Sequence, residues 1–175
     1  ITNNIFECNT AGYSSAINLE FNSIIPIFNN NSFINIESYF IISFQYSLNT
    51  IITDPIYLYN LSFIGLYNSA DENGGSGFWI NNGRTSTENF QLYTNFINCS
   101  FINNTSKYGG GAFALGNHKN VRCTSLEFIN CTFDGNYANT FSNNDGGGAI
   151  LLRTIGNCLI ENCKFINNTS TNERK

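Results

Sequence analysis

Hydrophobic and polar residues alternate in short runs along this chain, and the alternation changes phase at recurring asparagines. In "LEFINCTF", Leu126 and Phe128 fall on one alternation, whereas Cys131 and Phe133 fall on the other. A flat strand keeps a side-chain period of two, so the change of phase requires a bend. Asparagine tolerates the left-handed backbone that such a bend uses. We therefore predict a strand on each side of a corner at Asn130, with the four apolar side chains pointing inward.

The stretch around this corner recurs at an interval of 32 residues, as "FINCSFINN" (96–104), "FINCTFDGN" (128–136) and "IENCKFINN" (160–168). Stacked copies would place identical inward residues above one another. The predicted ladders are Phe101, Phe133 and Phe165; Cys99, Cys131 and Cys163; and Asn98, Asn130 and Asn162. Asn104, Asn136 and Asn168 keep the same register. Glycine blocks separate the copies, "GGGAFAL" at 109–115 and "GGGAILL" at 146–152.

These repeats predict an all-β fold. No stretch has sustained helical periodicity, and aromatic and β-branched residues dominate. One repeat cannot bury its own inner face, so copies must stack in register. The prediction is a parallel β-helix (solenoid) with three short strands per coil, one after the glycines and two flanking the Asn corner. The preference of parallel crossovers favours the right-handed form.

The chain 1–175 is predicted to be a single β-helix domain. Regular repeats span 60–170, residues 1–59 form irregular N-terminal coils, and 171–175 form a polar tail. The chain has no methionine and no secretory signal. We therefore expect it to be a processed chain or part of a longer chain or assembly.

The alternating glycine and Phe-x-x-Asn blocks resemble the polymorphic outer-membrane protein repeats of chlamydiae, which have counterparts in protist surface proteins. The matching stretches are "GGGAF" (109–113), "GGGAI" (146–150), "FINN" (101–104 and 165–168) and "FDGN" (133–136). The resemblance implies a right-handed parallel β-helix displayed outside the cell, often as an adhesin.

The composition of the chain limits the classes of partner and the location that we expect. Charged residues make up 11% of the chain, the net charge is −4 and no basic run exists, so nucleic acid is not expected as a partner. No apolar run reaches the roughly 18 residues of a membrane span. Six cysteines and eight Asn-x-Ser/Thr sequons favour an extracellular or cell-surface glycoprotein.

The sequons divide into two groups. Asn30, Asn103 and Asn167 lie outside the predicted structural registers and are the better glycosylation candidates. The remaining sequons rank below them because they fall on the repeat registers: Asn60, Asn98, Asn104, Asn130 and Asn168.

The cysteines favour structural roles. Three stacked thiols cannot all pair with one another, so the Cys99 ladder is expected to hold free thiols that pack as small apolar residues. We expect a disulfide between Cys123 and Cys158, and a partner for Cys8 outside this chain. No CxxC pair exists, so a zinc ribbon is excluded.

The remaining chemistry does not favour an enzyme. The acids are scattered, and only Glu127 and Glu161 occupy nearly equivalent positions, whereas a glycosidase needs two opposed carboxyl groups. His118 is expected to be an exposed loop residue. The glycine blocks lack the Lys-Ser/Thr of a phosphate loop. We expect no catalytic residue, no metal and no cofactor.

Three functions stay open. The leading hypothesis is a non-enzymatic, adhesin-like or structural matrix protein that binds host or matrix glycans and proteins. The alternative is a filament subunit that stacks end to end on other copies of itself, because a β-helix has open ends. The third is a polysaccharide-active β-helix enzyme. Specific binding is expected in the variable loops, such as 116–125 and 137–145.

Overall fold

A computed structural model describes residues 1–7, 14–21, 27–38, 40–46, 55–68, 78–81, 90–107, 109–115, 121–140, 146–152 and 155–172. Across these ranges the fold is all-β and contains no helix. In chain order the strands are β1 Ile5–Glu7, β2 Ser14–Phe21, β3 Phe28–Asn29, β4 Ser32–Ile34, β5 Glu37–Ser38, β6 Phe40–Tyr46, β7 Ile56–Tyr59, β8 Ser62–Ile64, β9 Tyr67–Asn68, β10 Phe78–Asn81, β11 Phe90–Ile97, β12 Ser100–Ile102, β13 Thr105–Ser106, β14 Phe113–Leu115, β15 Val121–Ile129, β16 Thr132–Asp134, β17 Tyr137–Thr140, β18 Ile150–Leu152, β19 Ile155–Glu161, β20 Lys164–Ile166 and β21 Thr169–Asn172.

The strands form parallel sheets in which each strand pairs with its counterpart from the neighbouring repeat. Three sheets run through most of the molecule, in the orders β3-β7-β11-β15-β19, β1-β4-β8-β12-β16-β20 and β5-β9-β13-β17-β21. We call them the first, second and third sheets. Two shorter sheets contain β2-β6-β10 and β14-β18. This arrangement confirms the predicted parallel β-helix, whereas the right-handed sense stays a prediction.

We number the coils from the N-terminal end. Coil 1 contains β1 and β2, coil 2 contains β3–β6, coil 3 contains β7–β10, coil 4 contains β11–β14, coil 5 contains β15–β18, and coil 6 contains β19–β21. Within the described residues, coils 2 to 5 therefore have four strands each, one more than the sequence predicts. The additional strand belongs to the third sheet and follows a second corner.

Each of coils 2 to 6 turns two corners with left-handed backbone. The first corner lies between the first and second sheets, at Asn30, Asn60, Asn98, Asn130 and Asn162, and Asn3 takes the same position in coil 1; all six have positive φ angles of 52–59°. The second corner lies between the second and third sheets, at Asn35, Gly65, Asn103, Gly135 and Asn167. Only glycine and asparagine adopt this conformation at low cost, which explains the residue types found there.

Phenylalanine rings form the central ladder of the core. Phe101 and Phe133 occupy partner positions in β12 and β16, and their rings are parallel with centroids 4.7 Å apart. Phe165 continues the stack at 4.8 Å. The Phe101, Phe133 and Phe165 ladder is therefore confirmed. It extends in the other direction through Phe63, Phe33 and Phe6, with centroid distances of 4.9–5.2 Å.

A second group of rings packs beside this ladder. Phe96 and Phe128 stack at 5.0 Å from neighbouring strands of the first sheet. Phe113, from the strand after the first glycine block, packs edge-on against both rings at 5.5 and 5.3 Å. Leu126, Phe128, Cys131 and Phe133 are all buried, so the predicted inward direction on both sides of the Asn130 corner is confirmed.

The glycine blocks allow neighbouring coils to approach closely. A Cβ on Gly111 would collide with the backbone of Gly148 and Tyr137, and one on Gly148 would collide with the backbone of Asn168 and Thr169. Gly111 and Gly148 therefore allow close packing, since neither residue has a positive φ angle and both lie against backbone of another segment. Gly109, the first glycine of its block, has a positive φ angle of 86° and so permits a tight turn.

The N-terminal part is more regular than predicted. Ser32, Phe33 and Ile34 pair in register with Ser62, Phe63 and Ile64, and β1 pairs in register with β4. The expected irregularity of 1–59 is therefore wrong for its described part near the corners. Intervals between equivalent residues vary from 27 to 38, and this variation hides the repeat in the sequence. No described helix is long and apolar enough to cross a membrane.

Candidate functional site

The first corner presents a column of exposed asparagines on the outer surface. Asn30, Asn60, Asn98 and Asn130 occupy this corner in four consecutive coils, and all four side chains are exposed. Each backbone N–H donates to a carbonyl of the following coil; the Asn98 N–H, for example, donates to Ile129 O at 2.9 Å. The backbone therefore holds these positions, and the side chains remain at the surface.

This exposure corrects one predicted ladder. Asn98, Asn130 and Asn162 were expected to form an inward ladder like those of Phe and Cys. They are stacked in register, but their side chains are exposed, because a residue at the apex of a corner points away from the core.

The inward asparagine ladder is instead Asn104, Asn136 and Asn168, at the start of the third sheet. Asn136 is fully buried, and its Oδ1 accepts from the Asn104 N–H at 3.1 Å and from Asn104 Nδ2 at 2.9 Å. Its Nδ2 donates to Phe101 O at 2.9 Å and to Asn168 Oδ1 at 2.8 Å. Each amide thus bridges two neighbouring coils and satisfies backbone groups that no sheet pairs.

The structure divides the sequon asparagines into buried and exposed residues, and this division differs from the ranking of glycosylation candidates predicted from the sequence. Asn104 is buried and Asn168 is half-buried, and both use Nδ2 in hydrogen bonds to carbonyls of the preceding coil, Phe63 O and Phe133 O. A glycan on Asn104 would require space that the core does not have. Exposed sequon asparagines lie only at the two corners among the described residues: Asn30, Asn60, Asn98, Asn103, Asn130 and Asn167.

The prediction that Asn30, Asn103 and Asn167 lie outside the structural registers is therefore wrong. Asn30 belongs to the first corner, while Asn103 and Asn167 belong to the second corner. The second corner escapes a sequence alignment because its residues alternate between asparagine and glycine along successive coils. These three residues are exposed, but they occupy structural registers as the other corner asparagines do.

The cysteine ladder is confirmed as a set of free thiols. Cys99 and Cys131 are buried, Cys163 is half-buried, and all three are unpaired with any other cysteine. Cys131 Sγ donates to Phe96 O and Ile129 O, both at 3.4 Å. The Cys131 N–H in turn donates to Cys163 Sγ at 3.4 Å. The thiols therefore act as small hydrogen-bonding core residues.

In coil 2, Asn31 takes the position of the ladder cysteines and likewise forms hydrogen bonds with backbone groups. This buried side chain follows the first corner, as Cys99 does, and its Nδ2 donates to Ile1 O at 2.9 Å and Asn29 O at 3.2 Å. Its Oδ1 accepts from the Asn4 N–H at 3.0 Å. Asparagine and cysteine both supply a donor and an acceptor at this place, whereas coil 3 has the buried Leu61 there.

The Cys131, Cys158 and Cys163 thiols are poor nucleophiles at neutral pH. The neighbouring Cys99 thiol and burial both raise the pKa of Cys131. Burial likewise raises the pKa of Cys163 and of the exposed Cys158. Because the thiolate is the reactive form, the raised pKa values argue against Cys131 and Cys163 as nucleophiles. In Cys99, by contrast, the effect of burial is outweighed by hydrogen bonds, above all the one with the Cys131 thiol, and its pKa is lowered.

The predicted Cys123–Cys158 disulfide is absent. Cys158 is a free cysteine, and its partner position on the adjacent strand is Leu126. Cys123 is instead opposite Ile155, three residues before Cys158. That offset corresponds to about 10 Å along the strands, beyond the Cα separation of a disulfide. Cys8 lies outside the described residues.

The remaining candidates do not assemble into a site. Glu161 is opposite Ile129, whereas Glu127 is opposite Leu159, so the two carboxylates are not partners across the strands. His118 lies outside the described residues. Within the described ranges, no three His, Cys, Asp or Glu side chains are placed to hold a metal ion. Of the two predicted binding loops, 121–125 lies in β15 and 137–140 forms β17, while 116–120 and 141–145 are outside the described residues.

No protein-family model matches this chain, and no curated protein matches it either.

Proposed function

We propose that this chain is a non-enzymatic extracellular or cell-surface β-helix that acts as an adhesin-like or structural matrix element. The observation that carries the proposal is the stack of six phenylalanine rings from Phe6 to Phe165, which continues through every coil. A continuous in-register core suits a stiff rod that presents equivalent corners and loops at regular intervals.

Two further features support this proposal. The Gly-Gly-Ala and Phe-x-x-Asn repeats resemble those of the polymorphic outer-membrane proteins, for which the resemblance implies adhesion at the cell surface. In addition, six exposed asparagines at the corners are sequon acceptors, as in a chain that passes through a secretory pathway. The low content of charged residues, 11%, fits a surface that uses amides and hydroxyls for contacts.

Localisation and binding test the proposal together. An antibody against the folded chain should label intact, unpermeabilised cells of the source organism. The purified chain should bind members of a panel of matrix proteins and glycans. A matched variant replaces 116–120 and 141–145 with Gly-Ser segments of equal length; it should lose binding while its unfolding midpoint stays within a few degrees.

Two results would contradict the proposal. The first is labelling of permeabilised cells only, combined with no binding to the panel. The second is release of reducing ends from a panel of plant, fungal and bacterial polysaccharides, which would favour the polysaccharide-active enzyme instead.

End-to-end assembly is a second candidate, favoured by apolar residues at the edge of coil 6. Phe165 is 48% exposed, and Ile160 and Ile166 are 46% and 42% exposed. At the edge of coil 1, Phe6 lies in the same ladder, so a second copy could continue the ring stack. Electron microscopy should then show filaments that a Phe165→Lys substitution abolishes. Isolated particles at all protein concentrations would remove this candidate.

A further inference from the structure

Four sequons lie on one edge of the β-helix in four consecutive coils. Asn30, Asn60, Asn98 and Asn130 are the first-corner residues of coils 2 to 5, and each begins an Asn-x-Ser/Thr sequence. The flanking corner residues break the pattern, because Ile5 follows Asn3 by two positions and Lys164 follows Asn162. The sequon column thus coincides with an exposed structural column.

The separation between these asparagines is small. Neighbouring coils are stacked at the strand spacing of about 4.8 Å. The corner side chains already reach the preceding coil: Asn30 Nδ2 donates to Asn3 Oδ1 at 3.2 Å, and Asn60 Nδ2 donates to Asn29 Oδ1 at 3.0 Å. A sugar ring is wider than this spacing, so glycans on adjacent corners would collide.

We propose that the first corner is an N-glycosylation edge on which no two adjacent coils are both modified. A folded molecule carries at most two first-corner glycans, at Asn30 and Asn98, at Asn60 and Asn130, or at Asn30 and Asn130, and never at two adjacent corners. Asn104 stays unmodified because it is buried and its amide hydrogen bonds join coils 3, 4 and 5. This inference rests on the extracellular location that we propose above.

The modification is a group transfer from a lipid-diphosphate-linked oligosaccharide, catalysed by the secretory oligosaccharyltransferase. The asparagine Nδ2 forms a bond to C1 of the first N-acetylglucosamine, the C1–O bond to the diphosphate breaks, and the lipid diphosphate leaves. Nδ2 loses one proton to solvent and retains the other. Because transfer precedes folding, chains modified at adjacent corners should be made but should fail to fold and be retained in the cell.

The test expresses the chain with a cleavable leader in a eukaryotic secretory host. Glycopeptides and intact masses are measured separately for the secreted and retained fractions. Secreted molecules should carry at most two first-corner glycans, with Asn98 and Asn130 never occupied together. Adjacent occupancy should be enriched in the retained fraction.

Two variants test the dependence between neighbours. Thr132→Val removes the Asn130 sequon but keeps a β-branched side chain, and it should raise Asn98 occupancy in secreted protein about twofold. Lys164→Thr creates a sequon at Asn162 and should lower Asn130 occupancy. The amount of secreted protein controls for folding of each variant.

Three outcomes would overturn the inference: secreted molecules with glycans on adjacent corners, Asn98 occupancy that ignores Thr132→Val, or no first-corner glycan at all. These outcomes are separate from the fate of the proposed function. Binding to matrix components is measured on enzymatically deglycosylated protein. The proposed binding function and the proposed glycosylation pattern are therefore tested independently of each other.

Discussion

The Asn103 Oδ1 atom lies in the space that a Cβ atom on Gly135 would fill, one coil further along the helix. Asn35 and Gly65 have the same relationship two coils earlier. In both pairs, the asparagine side chain extends over the glycine of the following coil. The glycine has no Cβ atom, so the space is free for the asparagine Oδ1 atom. The residue type that fits at a second corner therefore depends on the corner residue of the preceding coil.

This relationship predicts a coupling between the two residues. Gly135→Ala should destabilise the fold by about 2 kcal/mol, because alanine is strained at a positive φ angle and its Cβ meets Asn103. In an Asn103→Gly background the same substitution should cost only about 1 kcal/mol, the backbone part alone. Urea unfolding of the four proteins measures the difference. Strictly additive effects would mean that Asn103 does not occupy this space.

The buried Asn136 predicts a much larger effect. Asn136→Leu should cost about 3 kcal/mol or more, since it leaves the Asn104 N–H and the Phe101 carbonyl buried without the partner they have now. Asn130→Gly is the matched control, because it changes an exposed asparagine with a positive φ angle and should cost less than about 0.5 kcal/mol. Equal effects of the two substitutions in chemical denaturation would contradict the inward ladder.

The buried hydroxyl group of Thr94 leads us to expect a stabilising substitution at this position. Its side chain is buried between Ile56 and Leu126 of the adjacent strands, and its Oγ1 has no hydrogen-bond partner. Thr94→Val replaces this hydroxyl with a methyl group of similar size and should raise the free energy of unfolding by about 1 kcal/mol. Thr132→Val, at a half-buried position, should change it little. A loss of stability in Thr94→Val would show that the hydroxyl has a partner in solution.

The cysteine ladder predicts sensitivity to alkaline pH. The Cys99 thiol and burial raise the pKa of Cys131 above its ordinary value of 9.0, so above that pH the folded state holds a proton that the unfolded state has lost. By linkage, the contribution of Cys131 to the free energy of unfolding falls as pH rises past 9.0, whereas Cys99, whose pKa is lowered, contributes with the opposite sign. Cys131→Ala should be less stable at pH 7 but should lose less stability between pH 8 and pH 10.5. A parallel loss in both proteins would exclude the thiol as the cause.

The sequence predicted the parts of this fold that repeat in residue type. The Phe101 and Cys99 ladders and the Asn130 corner recur at equal intervals, and the inward direction of the two ladders follows from strand alternation. The second corner was missed because Asn103 and Gly135 share a backbone conformation but not a residue type.

Two other differences between the predicted and the observed structure have physical causes. Coil 2 was hidden because Asn31 takes the place of the cysteines and because the intervals between equivalent residues vary from 27 to 38. The expected Cys123–Cys158 bridge failed because the strand register, which pairs Leu126 with Cys158, is set by the corners and not by the cysteines.

The register of the phenylalanine ladder is the most direct test of the whole account. The measurement is a nuclear Overhauser experiment on deuterated protein with protonated, individually assigned phenylalanine rings. We expect contacts between Phe63 and Phe101, between Phe101 and Phe133, and between Phe133 and Phe165, whose centroids are 4.9, 4.7 and 4.8 Å apart. No direct contact is expected between Phe63 and Phe133. Ring contacts that skip a coil, or none between Phe101 and Phe133, would contradict the stacked β-helix.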